Sequence, residues 1–397
     1  MITRFRVNNF KNLLNVEFRP VGVNLLIGPN NAGKTNLCHA LRFLSLSCNS
    51  PLDDAAGLVL GENWNISNVY VTDKNVDFET EVTLSDQGTE LRFCYQLCLS
   101  VERELPAGKQ TLKVVKEVLK VGGGGSGERI LIENLGGQAR VLLEGTAARA
   151  DGQGAFLQTQ VPCDATALSK LFDPAANRLA LRFKQNVGSC FYFNLVPRAL
   201  RAPKVVGKFP WMTPDGENFS KFLFTIHNEQ PRLERRIIEA LKLVEPKVDL
   251  FNFYSPDPEF ILFLFEDKSG NRFSAQSISD GTLRYLALCC LIALMDDVNQ
   301  QGGSFPLVIF EEPENGLYVG HLKPLIEKLD FQRKSGQCLF TSHSPYFIDL
   351  FDNHLEGVHL MRPGIPSSML TQPDAAKVRR LLDDMPLGEM HYRELLG

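Results

Sequence analysis

The chain has little surplus charge of either sign: 42 Lys and Arg stand against 46 Asp and Glu, a formal net charge of −4. That balance excludes a generally basic nucleic-acid binder and leaves a local basic face as the remaining route to DNA or RNA. Long apolar runs are also missing. The longest, Leu286–Met295, is too short to span a bilayer and reads as a core helix. The first residues, MITRFRVNNF, are not a signal peptide. Nine cysteines are present, and neither the pair Cys94 and Cys98 nor the pair Cys289–Cys290 has metal-ligand spacing with histidines. Cys94 and Cys98 sit in a strand-like run and Cys289–Cys290 in an apolar helix pattern, so they read as reduced, mostly buried thiols of a cytoplasmic protein. There is no internal repeat, and no sustained heptad pattern between residues 50 and 270, which argues against a long coiled-coil arm. What is there is a chain of 397 residues, 44% hydrophobic and 22% charged, with enough material for a large core and two or three units.

Its most informative stretch is GPNNAGKT, residues 28–35, directly after the apolar run Val23–Ile27. A glycine-rich loop between a strand and a helix turns successive backbone N–H groups inward, where they cradle phosphates. Gly28, Pro29, Asn30, Asn31, Ala32, Gly33, Lys34, Thr35 and Asn36 are the candidate nucleotide-binding residues. Lys34 is placed to reach the β- and γ-phosphates, and the Thr35 hydroxyl to ligate Mg²⁺. The helix is expected from about Leu37 to Leu46.

Three further segments carry chemistry. Leu307–Phe310 has the pattern of a strand buried on both faces, and it ends in Glu311-Glu312-Pro313-Glu314. A carboxylate at the carboxyl edge of such a sheet suits a metal–nucleotide complex: Glu311 to hold Mg²⁺, Glu312 to deprotonate the attacking water. Read alone, it is equally a solvated acidic loop. SISDGT, residues 277–282, opens a helix pattern over Leu283–Met295, and makes Ser279, Asp280 and Gly281 either an N-cap or an anion site. TSHSP, residues 341–345, follows the apolar run Cys338–Phe340 and puts His343 just past a core strand, as a structural histidine or a γ-phosphate donor.

The order phosphate loop, small-residue helix start, acidic strand end, strand–His resembles that of ABC-type ATPase heads of the RecF, SMC and Rad50 group. Asn9-Phe10-Lys11 is similar to that group's N-F-[KR] turn. The segments GPNNAGKT, SISDGTLRYLAL, LVIFEEPENGLY and FTSHSP most resemble compact RecF/OLD-like ATPases of bacterial anti-phage systems. The resemblance implies an α/β fold: an ABC-type P-loop ATPase head with an inserted antiparallel β-meander and a helical lobe. It implies ATP and Mg²⁺ as cofactors, and a homodimer with two ATP molecules sandwiched head to tail. Ser279 and Gly281 would then contact the γ-phosphate held by the other copy, His343 would sense it, and Glu312, Lys34 and His343 would be the catalytic set. Asn315 falls where the family's dimer-contact loop lies. Asp280 departs from the usual first glycine, and the glutamine that normally links Mg²⁺ to the intervening lobe has no counterpart in the sequence pattern.

The expected division is 1–68 for the first part of the head, 69–165 for the β insertion, 166–270 for a helical or mixed lobe, and 271–397 for the rest of the head. Strands are expected at Ile2–Val7, Val16–Phe18, Val69–Val71, Val76–Leu84, Leu91–Val101, Leu112–Val121 and Arg129–Ile132. Helical patterns prevail from Thr166 to about Val244, Phe260–Phe265 reads as a buried strand, and Gly122–Gly127 reads as a flexible hairpin connection. After His343 there is one short basic helix, Ala375–Leu382, and no D-x-D cluster. A nuclease domain of the OLD kind is therefore not expected. The leading expectation is a stand-alone ATPase, the sensor or scaffold subunit that controls a separate effector such as a nuclease or toxin. The alternative is a RecF-like DNA clamp using Arg178, Arg182 and Lys184, or Arg198, Arg201, Lys204 and Lys208, as a basic groove.

Overall fold

The computed structural model describes the chain except for residues 63, 87, 104–109, 124–125, 145–154, 204–210, 258–259, 301–306, 328, 330–335 and 397. It divides into two compact units, Met1–Cys190 with His359–Pro373, and Phe191–Val358 with Asp374–Gly397.

The first unit is built on an antiparallel sheet of eight strands. Their spatial order is Val16–Phe18, Ile2–Asn8, Asn75–Asp86, Thr89–Arg103, Gln110–Gly123, Ser126–Leu135, Gln138–Leu142 and Phe156–Gln160. The meander thus continues the sheet of the N-terminal hairpin across the expected boundary at residue 68. Asn75–Asp86 shows the period-2 burial of a half-covered strand, with Val76, Phe78, Thr80 and Val82 turned inward. Phe78 meets Phe5, Phe10 and Phe43, with ring centroids 5.5–6.4 Å apart. Phe43 lies on the helix Lys34–Ser47, so this aromatic cluster fixes that helix, and with it the phosphate loop, against the sheet. Each such ring removes roughly 2 kcal/mol worth of apolar surface from water. Val69–Val71 is a turn instead of a strand. Asn68 holds it: its backbone N–H donates to Asn9 Oδ1 at 3.0 Å and its Oδ1 accepts from the Tyr70 N–H at 2.8 Å. The centre of the glycine-rich connection, 124–125, and the Pro106-Ala107-Gly108 turn lie outside the described residues.

In the second unit, Leu307–Glu311 and Cys338–Ser342 pair in parallel, with Phe310 stacked on Phe340 at 5.0 Å. Cys190–Phe193 lies on the other side of Leu307–Glu311. The helix Asp280–Gln300 is apolar nearly all round, and Leu283, Tyr285 through Ile292, Leu294 and Met295 are buried, as expected of a core helix. Phe260–Asp267 is the middle of a three-stranded antiparallel sheet, between Val248–Asp257 and Arg272–Ser274. Its apolar run hides an alternation: Ile261, Phe263 and Phe265 are buried while Phe260 is exposed, so it is covered on one face and not on both. The basic helix spans Ala375–Leu381, capped by Asp374, and Asp383 and Asp384 are exposed. None of the nine cysteines is in a disulfide, and five are buried. No helix among the described residues is long and apolar enough to cross a membrane.

Candidate functional site

The phosphate loop is built from backbone. Gly28, Asn31 and Gly33 have φ of 154°, 64° and 102°, and the last two are left-handed turns that tighten the loop before the helix. A Cβ on Gly28 would stand 2.1 Å from the Met361 carbonyl oxygen, so only glycine fits there. Pro29, Asn30, Asn31 and Thr35 are exposed, Asn36 half-buried, and Gly28, Ala32, Gly33 and Lys34 buried. Pro29 has no N–H to give, so its part is the loop's shape. The Lys34 ammonium donates to the carbonyls of Gly28 and Pro29, at 2.7 and 3.2 Å. The loop is flanked by a polar chain that sequence reading missed: Asn36 Nδ2 donates to Asn12 Oδ1, and Asn12 Nδ2 to Ser368 Oγ, both at 2.7 Å. The Asn9-Phe10-Lys11 turn beside it has φ of 60° at Asn9 and 53° at Lys11. Asn9 Nδ2 donates to the carbonyls of Asp73 and Asn75, and Phe10 is fully buried.

In the same unit, His359 is buried against Phe18, with Nε2 3.3 Å from Asn24 Oδ1 on the strand that leads into the loop. Burial pulls its pKa down to about 4, so the ring is neutral in the fold.

The second unit brings its own functional side chains together around the ends of the two parallel strands. Glu312 sits in a left-handed turn, φ 44°, which costs a non-glycine residue of order 1 kcal/mol and is a mark of functional sites. Its N–H is held by the carbonyl and the hydroxyl of Thr341, each at 3.1 Å. His343 Nδ1 is 3.1 Å from Glu312 Oε1, and Asn315 Nδ2 donates to Glu312 Oε2 at 2.7 Å. Glu311 accepts on Oε2 from the Tyr192 hydroxyl and, at 3.3 Å, from Asn194 Nδ2. Glu314 is buried, takes a 2.5 Å bond from Ser342 Oγ, and its carboxyl is pushed up by burial. An opening of about 20 Å³, large enough for one water, is lined by Asn194, Arg284, Glu311, Glu312 and Asn315. Tyr192 and Asn194 carry no motif in the sequence; they precede Glu311 by more than a hundred residues.

The small-residue segment lies in the same unit. Ser279 Oγ accepts from the Thr282 N–H at 3.0 Å and so caps the helix Asp280–Gln300. Gly281 approaches the loop after the carboxylates: a Cβ there would stand 2.6 Å from the Gly316 oxygen. Arg284 donates to the carbonyls of Leu195 and Asn315.

The proposed basic groove fares differently. Arg178 and Arg182 both pair with Asp86, and Lys184 donates to the carbonyls of Ser169 and Leu171 at 2.9 and 3.0 Å. Arg201 is turned inward onto Asp280. Arg198 is exposed, and Lys204 and Lys208 lie outside the described residues.

Comparison with known proteins gives two family profiles. Residues 1–133 match "AAA ATPase domain" and residues 214–349 match "AAA domain, putative AbiEii toxin, Type IV TA system". Both profiles describe ATPase domains, and over these segments the chain is similar to RecF/SMC-like ABC-type ATPases. Over 90 residues it is 32% identical to the DNA replication and repair protein RecF of two strains of Lactobacillus delbrueckii subsp. bulgaricus, a match covering 22% of this chain. The chain spans about a quarter of the length of these relatives, 23%. Among solved structures, an SMC head bound to the C-terminal winged-helix domain of ScpA superposes with a TM-score of 0.51 at 12% identity, over 96% of this chain and 99% of that one. This likeness gives the chain the SMC-head fold, a mixed α/β architecture with an antiparallel sheet.

Proposed function

We propose that this ATPase is a switch that dimerises head to tail around two ATP molecules and acts as the sensor or scaffold subunit of a bacterial anti-phage system, controlling a separate effector such as a nuclease or toxin. The observation that carries the ATP-switch reading is the convergence of Glu311, Glu312 and His343 beside a water-sized opening at the ends of two parallel strands. The AbiEii-type match supports the defence setting.

Mg²⁺ takes oxygen ligands. Each unit holds one candidate for it: the Glu311 carboxylate, oriented by Tyr192 and Asn194, and the Thr35 hydroxyl in the first turn of its helix. When bound, Mg²⁺ would supply charge neutralisation on the β- and γ-phosphates. The chain's own residues would do the rest. The N–H groups of residues 28 and 30–36 would cradle the phosphates, and Lys34 would exchange the carbonyls of Gly28 and Pro29 for phosphate oxygens. Glu312 would take the proton of the attacking water, and Asn315 and His343 hold its two oxygens in place. His343, half-exposed, would also meet the γ-phosphate. Ser279, Asp280 and Gly281 would close the other copy's site. Hydrolysis removes the shared γ-phosphate and loosens the pair.

Size-exclusion chromatography of Glu312→Gln with Mg²⁺ and ATP tests this: a stable dimer is expected, and a monomer at saturating nucleotide overturns it. Copurification of a partner from the native operon tests the effector. The RecF match favours a second reading, a DNA clamp. It requires DNA affinity that falls steeply with salt.

A further inference from the structure

The helix start that would meet the other copy's triphosphate carries a carboxylate, Asp280, with its side chain 66% exposed. An acid in the first turn suits the helix dipole but repels a bound anion. Arg201 answers that charge. Its Nη1 lies 2.6 Å from Asp280 Oδ1. The rest of the guanidinium is spent on the same segment: Nε donates to the Ala275 carbonyl at 3.1 Å and Nη2 to the Ile278 carbonyl at 2.6 Å. The side chain is only 16% exposed, and Nη1 also reaches the Pro197 carbonyl at 3.4 Å, at the start of the short helix Pro197–Leu200. One planar fork therefore spans residues 275–280 from a fixed base, a geometry lysine cannot reproduce. Arg284 is another cation near Asp280, but its donors bond the carbonyls of Leu195 and Asn315.

We propose that Arg201 is a positioning residue for the ATP site completed in trans: it cancels the Asp280 charge and holds segment 275–280 so that Ser279 and Gly281 present neutral donors to the other copy's γ-phosphate. This rests on the head-to-tail reading above. Arg201 acts across the dimer, so it does not contribute to ATP binding by a single copy.

The experiment is a two-by-two set, Arg201→Ala, Asp280→Asn and the double variant, with three readouts: Kd of the monomer for a fluorescent ATP analogue, KM and kcat for ATP hydrolysis, and the ATP-dependent dimer fraction. Arg201→Ala is expected to raise KM about tenfold and weaken the ATP-dependent dimer by a similar factor, with the monomer Kd unchanged. Asp280→Asn alone removes the charge that Arg201 cancels, and is expected to shift KM and the dimer fraction less than Arg201→Ala does. The double variant recovers most of the KM loss, because the repelling charge has gone with its partner. A double variant no better than Arg201→Ala overturns the charge-cancelling role, and a parental Arg201→Ala overturns the whole proposal. Should Arg201→Ala lower the melting temperature, Arg201→Gln, which keeps a donor and removes the charge, carries the same comparison. A Ser279→Arg control separates the two layers. If it retains full turnover and dimerisation, the head-to-tail reading itself fails; if it loses both while Arg201→Ala is parental, only the brace fails.

Discussion

The two units build their candidate functional residues from different materials. The first uses main chain: positive φ at Asn31 and Gly33, a Gly28 against which no Cβ fits, and a single cation, Lys34, tied back onto the loop. The second uses side chains gathered from four segments: Tyr192 and Asn194, Arg284, the Glu311–Asn315 turn and His343. Main-chain donors are indifferent to side-chain identity except where a Cβ would intrude. A site built from side chains depends on each group's charge and aim. The first unit should therefore set affinity, and the second should set rate.

The sharpest way to break that division is Glu312→Gln. With the base gone, turnover should fall about a thousandfold while ATP affinity stays within a factor of two, read by single-turnover hydrolysis beside equilibrium binding. A parental rate would remove Glu312 from the catalytic role.

The next test falls on the contact to the strand that leads into the loop. His359 titrates near 4 in the fold and near 6.5 when unfolded. Above pH 6.5 both states are neutral and nothing is lost. As pH falls from 6.5 towards 4 the unfolded chain takes up a proton that the folded chain refuses, so folding stability drops by about 3 kcal/mol. Urea unfolding across that range should show the slope, and His359→Gln should flatten it. An unchanged slope in the variant would place the acid sensitivity elsewhere.

Lys34→Ala should weaken ATP binding about a hundredfold, the worth of charge-assisted bonds to phosphate, as measured by calorimetry. A variant that binds normally and only turns over slowly would reverse the proposed division between the units. The smallest effect belongs to Asn315→Ala, which removes one of the hydrogen bonds on Glu312. Turnover should fall roughly fivefold with affinity intact, seen in steady-state kinetics.

The same contrast explains what was legible in the sequence. A main-chain site leaves a local signature, because glycines at the required turns must sit at fixed spacing. The strand-to-helix turn at residues 28–35 could therefore be read directly, as could the buried strands ending at Ile27, Glu311 and Ser342, whose apolar runs have the right length. Tyr192, Asn194 and Arg201 could not, since each is a lone residue brought to its partner by topology. Arg201 read as part of a basic groove because composition does not tell an outward-facing arginine from one whose donors are committed to a neighbouring segment. Val69–Val71 looked like a strand by its β-branched residues, but the side chain of Asn68 decides that turn. Phe260–Phe265 looked buried on both sides because its exposed face is apolar too, which erases the period-2 signal.

Glu117, fully buried on Gln110–Gly123, has a further consequence. Burial lifts its pKa, yet four donors converge on it: the Tyr95 hydroxyl, Asn134 Nδ2, and the N–H groups of Ala167 and Leu168, at 2.6–3.2 Å. The residue beside these, Thr166, donates to the carbonyl of Ser47, the last residue of the phosphate-loop helix. One acid thereby rivets three strands of the meander to the far end of the helix that follows the glycine-rich loop. The meander is not a detachable module. A chimera that swaps it for a relative's hairpin must import this acid along with the strands, or the N–H groups of Ala167 and Leu168 will be left without their acceptor in a dry interior.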